Sequence, residues 1–300
     1  MKAITKGILA VLAAMILCSC ISKPAKTVKE QKCDRDSDDN GLFSCSIEMK
    51  QELADIINDN EINKCKCAYN KRFTIFEEDI ETLKKVAKEN YIYALMSANA
   101  YDKGFQVRIP GWTRIQRLVS EHGFSADIYR SEEGNNTVIA YRGTDDAKDW
   151  RYANIDTDAD GQYRDADIVY EQVVKKYGDS QITTVGHSLG GGLAIHVSVT
   201  HENVNAITFN PSPRLFIVKS GIKFNNKVTL IYETGEILTA IRAIFTTLNQ
   251  INHEKYKFNY LGGNTISEHS MPNFAQCMYA STIEEQSNYS NACRENTFHK

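Results

Sequence analysis

"ITTVGHSLGGGLAIH", residues 182–196, decides how this chain is read. Apolar β-formers at 182–185 run straight into a glycine cluster, and Ser188 is set between His187 and Leu189. A serine there is either a turn residue or a nucleophile held in a strained backbone. Gly186-His187-Ser188-Leu189-Gly190 fits the pattern G-x-S-x-G, after an apolar strand and before a helix, which is where that pattern has a mechanism. The sharp turn forces the central residue into an uncommon conformation, and flanking side chains would clash with strand and helix, hence a glycine on either side. A helix beginning at Leu189 aims backbone N–H groups at an oxyanion. Ser188 is therefore read as a nucleophile.

A serine hydroxyl needs a base, and the base needs an orienting carboxylate. In a strand-turn-helix hydrolase the chain order is Ser, then Asp or Glu, then His. The downstream histidines are His196, His201, His253, His269 and His299. His196 and His201 belong to the helix that the turn starts and point away from it, and His299 is the penultimate residue. His253 and His269 remain. The acid belongs just past a strand, and "LIYETGEILT", residues 230–239, offers Glu233 and Glu236. Glu233 still follows the strand alternation, whereas Glu236 follows Gly235 in a loop and is the better choice.

Working outward, apolar residues recur at helical spacing from Phe76 to Tyr101 (Ile80, Leu83, Val86, Tyr91, Ala94, Leu95, Ala98). "FSADIYRSEEGNNTVIAYRGT", residues 124–144, reads as two strands around a Glu-Gly-Asn-Asn turn. A helix over 163–177 precedes the strand at 182–185, and 204–210 and 227–233 are further β-branched runs. Strands alternating with helices predict an α/β fold, a mainly parallel central sheet covered by helices on both faces. The run "NHEKYK", residues 252–257, reads as a solvated connection at the end of an apolar helix over 237–252.

With 300 residues, 42% apolar and 24% charged, the chain can bury a sizeable core. A formal net charge of −3 leaves no basic footprint for nucleic acid.

"VIAYRGTDDAKDWRYANID", residues 138–156, together with "VGHSLGGGLA", residues 185–194, resembles the class 3 lipases of the α/β-hydrolase superfamily. The resemblance covers about Phe76–Tyr279. It implies that Ser188 is the nucleophile and that the backbone N–H groups of Thr144 and Leu189 form the oxyanion hole. "YETGEILT" resembles the acid loop, with Glu236 where most members have Asp, and "SEHSMPNF" resembles the histidine segment, which makes His269 the base. Arg142 and Asp149 then brace the oxyanion turn, Trp150 is core, and His187 packs and hydrogen-bonds beside the serine. The chemistry implied is hydrolysis of lipid esters, acylglycerols or phospholipids. The helical face Ile237, Leu238, Ile241, Ile244, Phe245, Leu248 and Ile251 is either an acyl groove or an ordinary core face. The polar stretch 145–161 makes a short-chain ester credible too, and an idle hydrolase fold used as a surface-binding module is the alternative from another class.

At the N-terminus, "MKAITKGILAVLAAMILCSC" has Lys2 and Lys6, a short apolar run, then small or sulfur-bearing residues, the layout of a secretory signal over 1–19. Leu17-Cys18-Ser19-Cys20 resembles a bacterial lipobox, which implies lipidation of Cys20 and a membrane anchor, with export to the outer membrane; periplasmic or secreted release is the other outcome. Residues 20–72 are a tether and a Cys-rich segment, and the hydrolase domain is placed at 73–300. Six cysteines remain beyond Cys18 and Cys20, an even number that in an exported chain points to disulfides. Fifteen pairings are open; loop closure favours Cys277 with Cys293, which would leave Cys33, Cys45, Cys65 and Cys67 to pair near the N-terminus. Cys65-Lys66-Cys67 lacks the spacer of a zinc knuckle. No cofactor is expected, the one hint being Asp36, Asp38 and Asn40, spaced like the first half of a calcium loop. Ile47 stands where that loop needs a glutamate, so an acidic, solvated turn is the plainer reading.

Overall fold

The computed structural model describes residues 32–33, 40–46, 80–101, 105–121, 123–143, 159–178, 181–213, 223–236, 238, 251–260 and 269–282. All of them fall within one compact unit, Gln31–Lys300. Among the described residues nine strands hydrogen-bond in sequence order, β1 (Lys32–Cys33), β2 (Leu42–Ser46), β3 (Trp112–Ser120), β4 (Ser125–Ser131), β5 (Thr137–Tyr141), β6 (Ile182–His187), β7 (Val204–Phe209), β8 (Val228–Glu233) and β9 (His253–Phe258). Strands β1 to β5 form an antiparallel meander, and β5 to β9 run parallel.

Parallel neighbours cannot be joined by a tight turn, and the β5–β6 and β6–β7 crossovers each carry a helix. Helices α2 (Ala159–Tyr177) and α3 (Leu189–Thr200) cover one face, over Ile139, Tyr141, Ile182 and Leu230. Helices α1 (Ile80–Asn99) and α4 (Met271–Ala280) cover the other, over Val138, Ala140, Val185, Ile231 and Phe258. Every residue of α3 is buried, as its nearly all-apolar sequence requires. Helices on both faces of the sheet are what the alternation of strands and helices predicts, and the α/β-hydrolase fold is what the class 3 lipase resemblance implies.

Four strands depart from the expected layout. The run at 252–257 is no solvated connection: it lies in β9, paired parallel to β8 with His253 beside Val228. Strand β3, "WTRIQRLVS", has no assignment in the sequence reading because its two arginines interrupt the apolar pattern. Arg117 is nevertheless buried, its Nε and Nη2 donating to Asp127 Oδ1 and Oδ2 at 2.5 and 2.7 Å. Strands β1 and β2 extend the sheet into the Cys-rich segment, with Cys33 and Cys45 directly opposite in the ladder. Cys45 is in a disulfide, and so is Cys277. Residues 1–19, Asp36, Asp38, Cys65, Cys67, Cys293 and all of 237–250 except Leu238 lie outside the described residues; Leu238 and Ile251 are buried.

Candidate active site

In an open α/β sheet, ligands sit beyond the carboxyl ends of the parallel strands. His187 ends β6 and Ser188 follows it as the N-cap of α3, with φ 56° and ψ −124°. That is left-handed φ space, which costs a non-glycine residue about 1–3 kcal/mol and persists only where the surroundings fix it. Three backbone hydrogen bonds do so: Ser188 N–H donates to Phe209 O at 3.2 Å, and Ser188 O accepts from Ser212 N–H at 2.8 Å and Gly192 N–H at 3.2 Å. The Ser188 side chain makes no capping hydrogen bond to the helix it precedes.

The glycines explain themselves by what a Cβ would strike. At Gly186 it would run into the carbonyl of Gly190, and at Gly190 into the backbone of Tyr141 and Arg142. The end of β5 and the start of α3 therefore touch. At Gly143 a Cβ would meet the carbonyl of His187 at 2.5 Å and Ser188 Cβ at 3.2 Å. The turn that leads to Thr144 thus lies directly on the serine. Thr144, Asp149 and Trp150 themselves are outside the described residues, as is Cys20; Leu189 is the first residue of α3 and buried. Arg142 Nη2 donates to Gly123 O at 2.8 Å, which ties that turn to the β3–β4 connection.

The carboxylates separate cleanly. Glu236, just past β8, is buried, and its Oε2 accepts from His269 Nδ1 at 2.7 Å and from the backbone N–H of Leu238 at 2.9 Å. Glu233 is equally buried, but its Oε2 accepts the backbone N–H of Tyr260 at 3.1 Å. His269 precedes α4, whose Pro272 sits in the first turn, where a missing N–H costs nothing. The His269 ring lies 4.4 Å, centroid to centroid, from that of His187, so the histidine bonded to Glu236 stands beside the serine turn. His253 is at the opposite end. It opens β9 next to Val228, the first residue of β8, whereas Ser188 follows the last residue of β6. Its Nδ1 pairs with the carbonyl of Ile251.

Two groupings escaped the sequence reading. Tyr101 OH hydrogen-bonds His187 Nδ1 at 2.6 Å, across 86 positions of chain that no local pattern connects. His196 and His201, read only as pointing away from the serine, share Asp167 through Nε2 at 3.1 and 2.9 Å. Their i, i+5 spacing at the end of α3, with His201 just past its last residue, was visible, but the partner on α2 was not.

Among curated proteins no sequence matches. The chain superposes on a triacylglycerol lipase from Penicillium expansum over 61% of its own length and 82% of that chain, with 14% identity and a TM-score of 0.42. It is similar to the triacylglyceride lipase of Rhizomucor miehei over 64% of this chain and 97% of that one, at 15% identity and a TM-score of 0.42. A lipase from Yarrowia lipolytica matches at 18% identity over 55% and 75% of the two chains, with a TM-score of 0.38. A model for a phospholipase-like family, described as a Tle-like phospholipase domain, matches residues 93–242. That span is half of the chain and runs from within α1 past the serine turn and Glu236. The chain belongs to this Tle-like phospholipase family.

Proposed function

We propose that the protein hydrolyses carboxylic esters of phospholipids or acylglycerols through a Ser188–His269–Glu236 triad and an acyl-enzyme. One observation carries the reading: the strained Ser188 and a buried Glu236 Oε2–His269 Nδ1 hydrogen bond of 2.7 Å meet at the carboxyl edge of the parallel strands. The bond to Nδ1 fixes the imidazole so that Nε2 is the nitrogen that works on the serine proton. Ser188 Oγ attacks the ester carbonyl carbon while His269 takes its proton. The oxygen that becomes negative is stabilised by backbone N–H groups at Leu189 and Thr144. Collapse breaks the ester C–O bond and returns the proton to the departing alcohol, a lysophospholipid or partial glyceride. Water, deprotonated by the same imidazole, then releases the fatty acid.

Family membership favours phospholipid among lipid esters. Lys2, Lys6 and the apolar run ending at Cys20 support export with lipidation of Cys20, which would hold the enzyme at a membrane and close to lipid. The bonded state of Cys45 and Cys277 is in keeping with an oxidising compartment. Among the described residues no helix is long and apolar enough to cross a membrane.

The deciding experiment measures hydrolysis of p-nitrophenyl esters of increasing chain length and release of fatty acid from phosphatidylcholine vesicles, each with Ser188→Ala alongside. Fatty-acid release that disappears in Ser188→Ala supports the reading. Activity confined to short soluble esters removes the lipid substrate, and activity in Ser188→Ala removes the nucleophile.

A further inference from the structure

His187 is buried, and its ring stands between two partners: Tyr101 OH at 2.6 Å from Nδ1 on one side and the His269 ring at 4.4 Å between centroids on the other. The His187–His269 planes are inclined by 44°, and the two rings pack against each other. The Tyr101 oxygen also lies against the Cα of Gly143, where an added Cβ would strike it, and that glycine abuts Ser188. A single hydroxyl therefore touches the ring that backs the base and the turn that backs the serine.

Tyr101 is itself held firmly. Gln106 Nε2 donates to the carbonyls of Tyr101 and Asn99, each at 2.8 Å. The buried Arg117, clamped by Asp127, donates Nη2 to Asn99 O at 2.7 Å, and Asn99 Oδ1 accepts the N–H of Val107 at 2.8 Å. The end of α1 is thus tied to β3 and β4 by charge-assisted hydrogen bonds, which are shorter and stronger than neutral ones. A partly buried phenol needs no such scaffold merely to fill space, and phenylalanine would fill the same volume.

We propose that Tyr101 is a positioning residue of the reaction, whose hydroxyl fixes the His187 ring as the wall that holds the His269 imidazole in line with Ser188. The proposal rests on the triad reading above. The hydroxyl supplies orientation rather than substrate binding. Small misplacements of a reacting group cost rate at saturation, because the barrier carries the cost of finding the productive geometry.

The test is a double-mutant cycle on p-nitrophenyl butyrate hydrolysis with Tyr101→Phe, His187→Gln and the pair combined. kcat is expressed per serine titrated to completion with a fluorophosphonate, so an unfolded fraction is not counted. Tyr101→Phe lowers kcat about tenfold with KM within about twofold. The double variant is about as slow as the slower single, because both remove the same bond. An unchanged kcat in Tyr101→Phe overturns the proposal. So do losses that multiply in the double variant, or a rise in KM that accounts for the loss. Ser188→Ala separates the two levels: residual activity there sinks the triad itself, whereas an inactive Ser188→Ala with an unaffected Tyr101→Phe sinks only the role of Tyr101.

Discussion

Two groupings of histidine with carboxylate lie among the described residues, and the ring nitrogen each uses tells them apart. At the serine turn, Glu236 takes Nδ1 of His269. On the far face of the sheet, between α2 and α3, Asp167 takes Nε2 of both His196 and His201. An acid on Nδ1 leaves the outer nitrogen as the one that meets a substrate or nucleophile, which is the geometry a triad requires. An acid on Nε2 occupies that outer nitrogen, and two imidazoles on one carboxylate make a clamp between helices. The other difference is the neighbour. Ser188, with φ 56°, lies beside the first grouping, and the second is flanked by the rings of Tyr163 and Tyr170. The same residue types make a site or a brace according to which atom is engaged and what stands next to it.

The largest effect expected follows directly. Ser188→Ala and His269→Ala each lower kcat by about four to six orders of magnitude, with the double variant little worse than either single, because the members act as a unit. His196→Gln and His201→Gln leave kcat within about twofold. Steady-state kinetics on one ester decides it; a dead His196 or His201 variant with intact folding would reverse the assignment of the two groupings.

Next comes the acid. Glu236→Gln keeps the shape but no longer holds the imidazole in the required tautomer and charge state, and costs about a thousandfold or more in kcat. Glu233→Gln retains an oxygen for the N–H of Tyr260, so its kcat stays within about tenfold. The opposite ranking would move the role to Glu233.

How far the sequence could see follows from what is local. The serine turn was legible because strand, glycines and helix N-terminus are consecutive, and the physical demands on each are met within ten residues. The acid was legible as a choice between two carboxylates, made for Glu236 by its place in the loop after Gly235. Glu233 and Glu236 differ by three residues, and register alone sends one to Tyr260 and the other to His269. His253 was set aside as part of a solvated loop, but β9 excludes it for another reason. As an edge strand it is mostly polar and lacks the apolar alternation of a central strand. Pairing parallel to β8 puts His253 at the amino end of the strands, about five residues of rise, roughly 16 Å, from the serine's end. His253→Ala should therefore leave kcat within about twofold for a geometric reason, and a full loss on the ester assay would mean that register is wrong. Strand β3 was hidden in a similar way: Arg117 looks like a surface residue until Asp127, across the ladder, supplies its counter-charge.

The smallest effect tests the brace, and its readout is stability rather than rate. Burial pushes the Asp167 carboxyl up, but the hydrogen bonds and charges of His196 and His201 outweigh it and bring it down from 3.8 to about 2. A carboxylate depressed in the folded state stabilises the protein above its unfolded value and loses that contribution as pH falls through the folded one. The window is thus about pH 4 down to 2. With its side chain 32% exposed, Asp167 is partly screened, so its share is about 1–2 kcal/mol. Asp167→Asn should lower Tm by about 2–6 °C at pH 6, with kcat unchanged. Chemical denaturation of both proteins between about pH 6 and 3 should show their difference narrowing once the pH passes below about 4. A gap that stays constant over that range would mean that the clamp acts through shape alone. No gap at any pH would mean that α2 and α3 are held by their apolar faces without it.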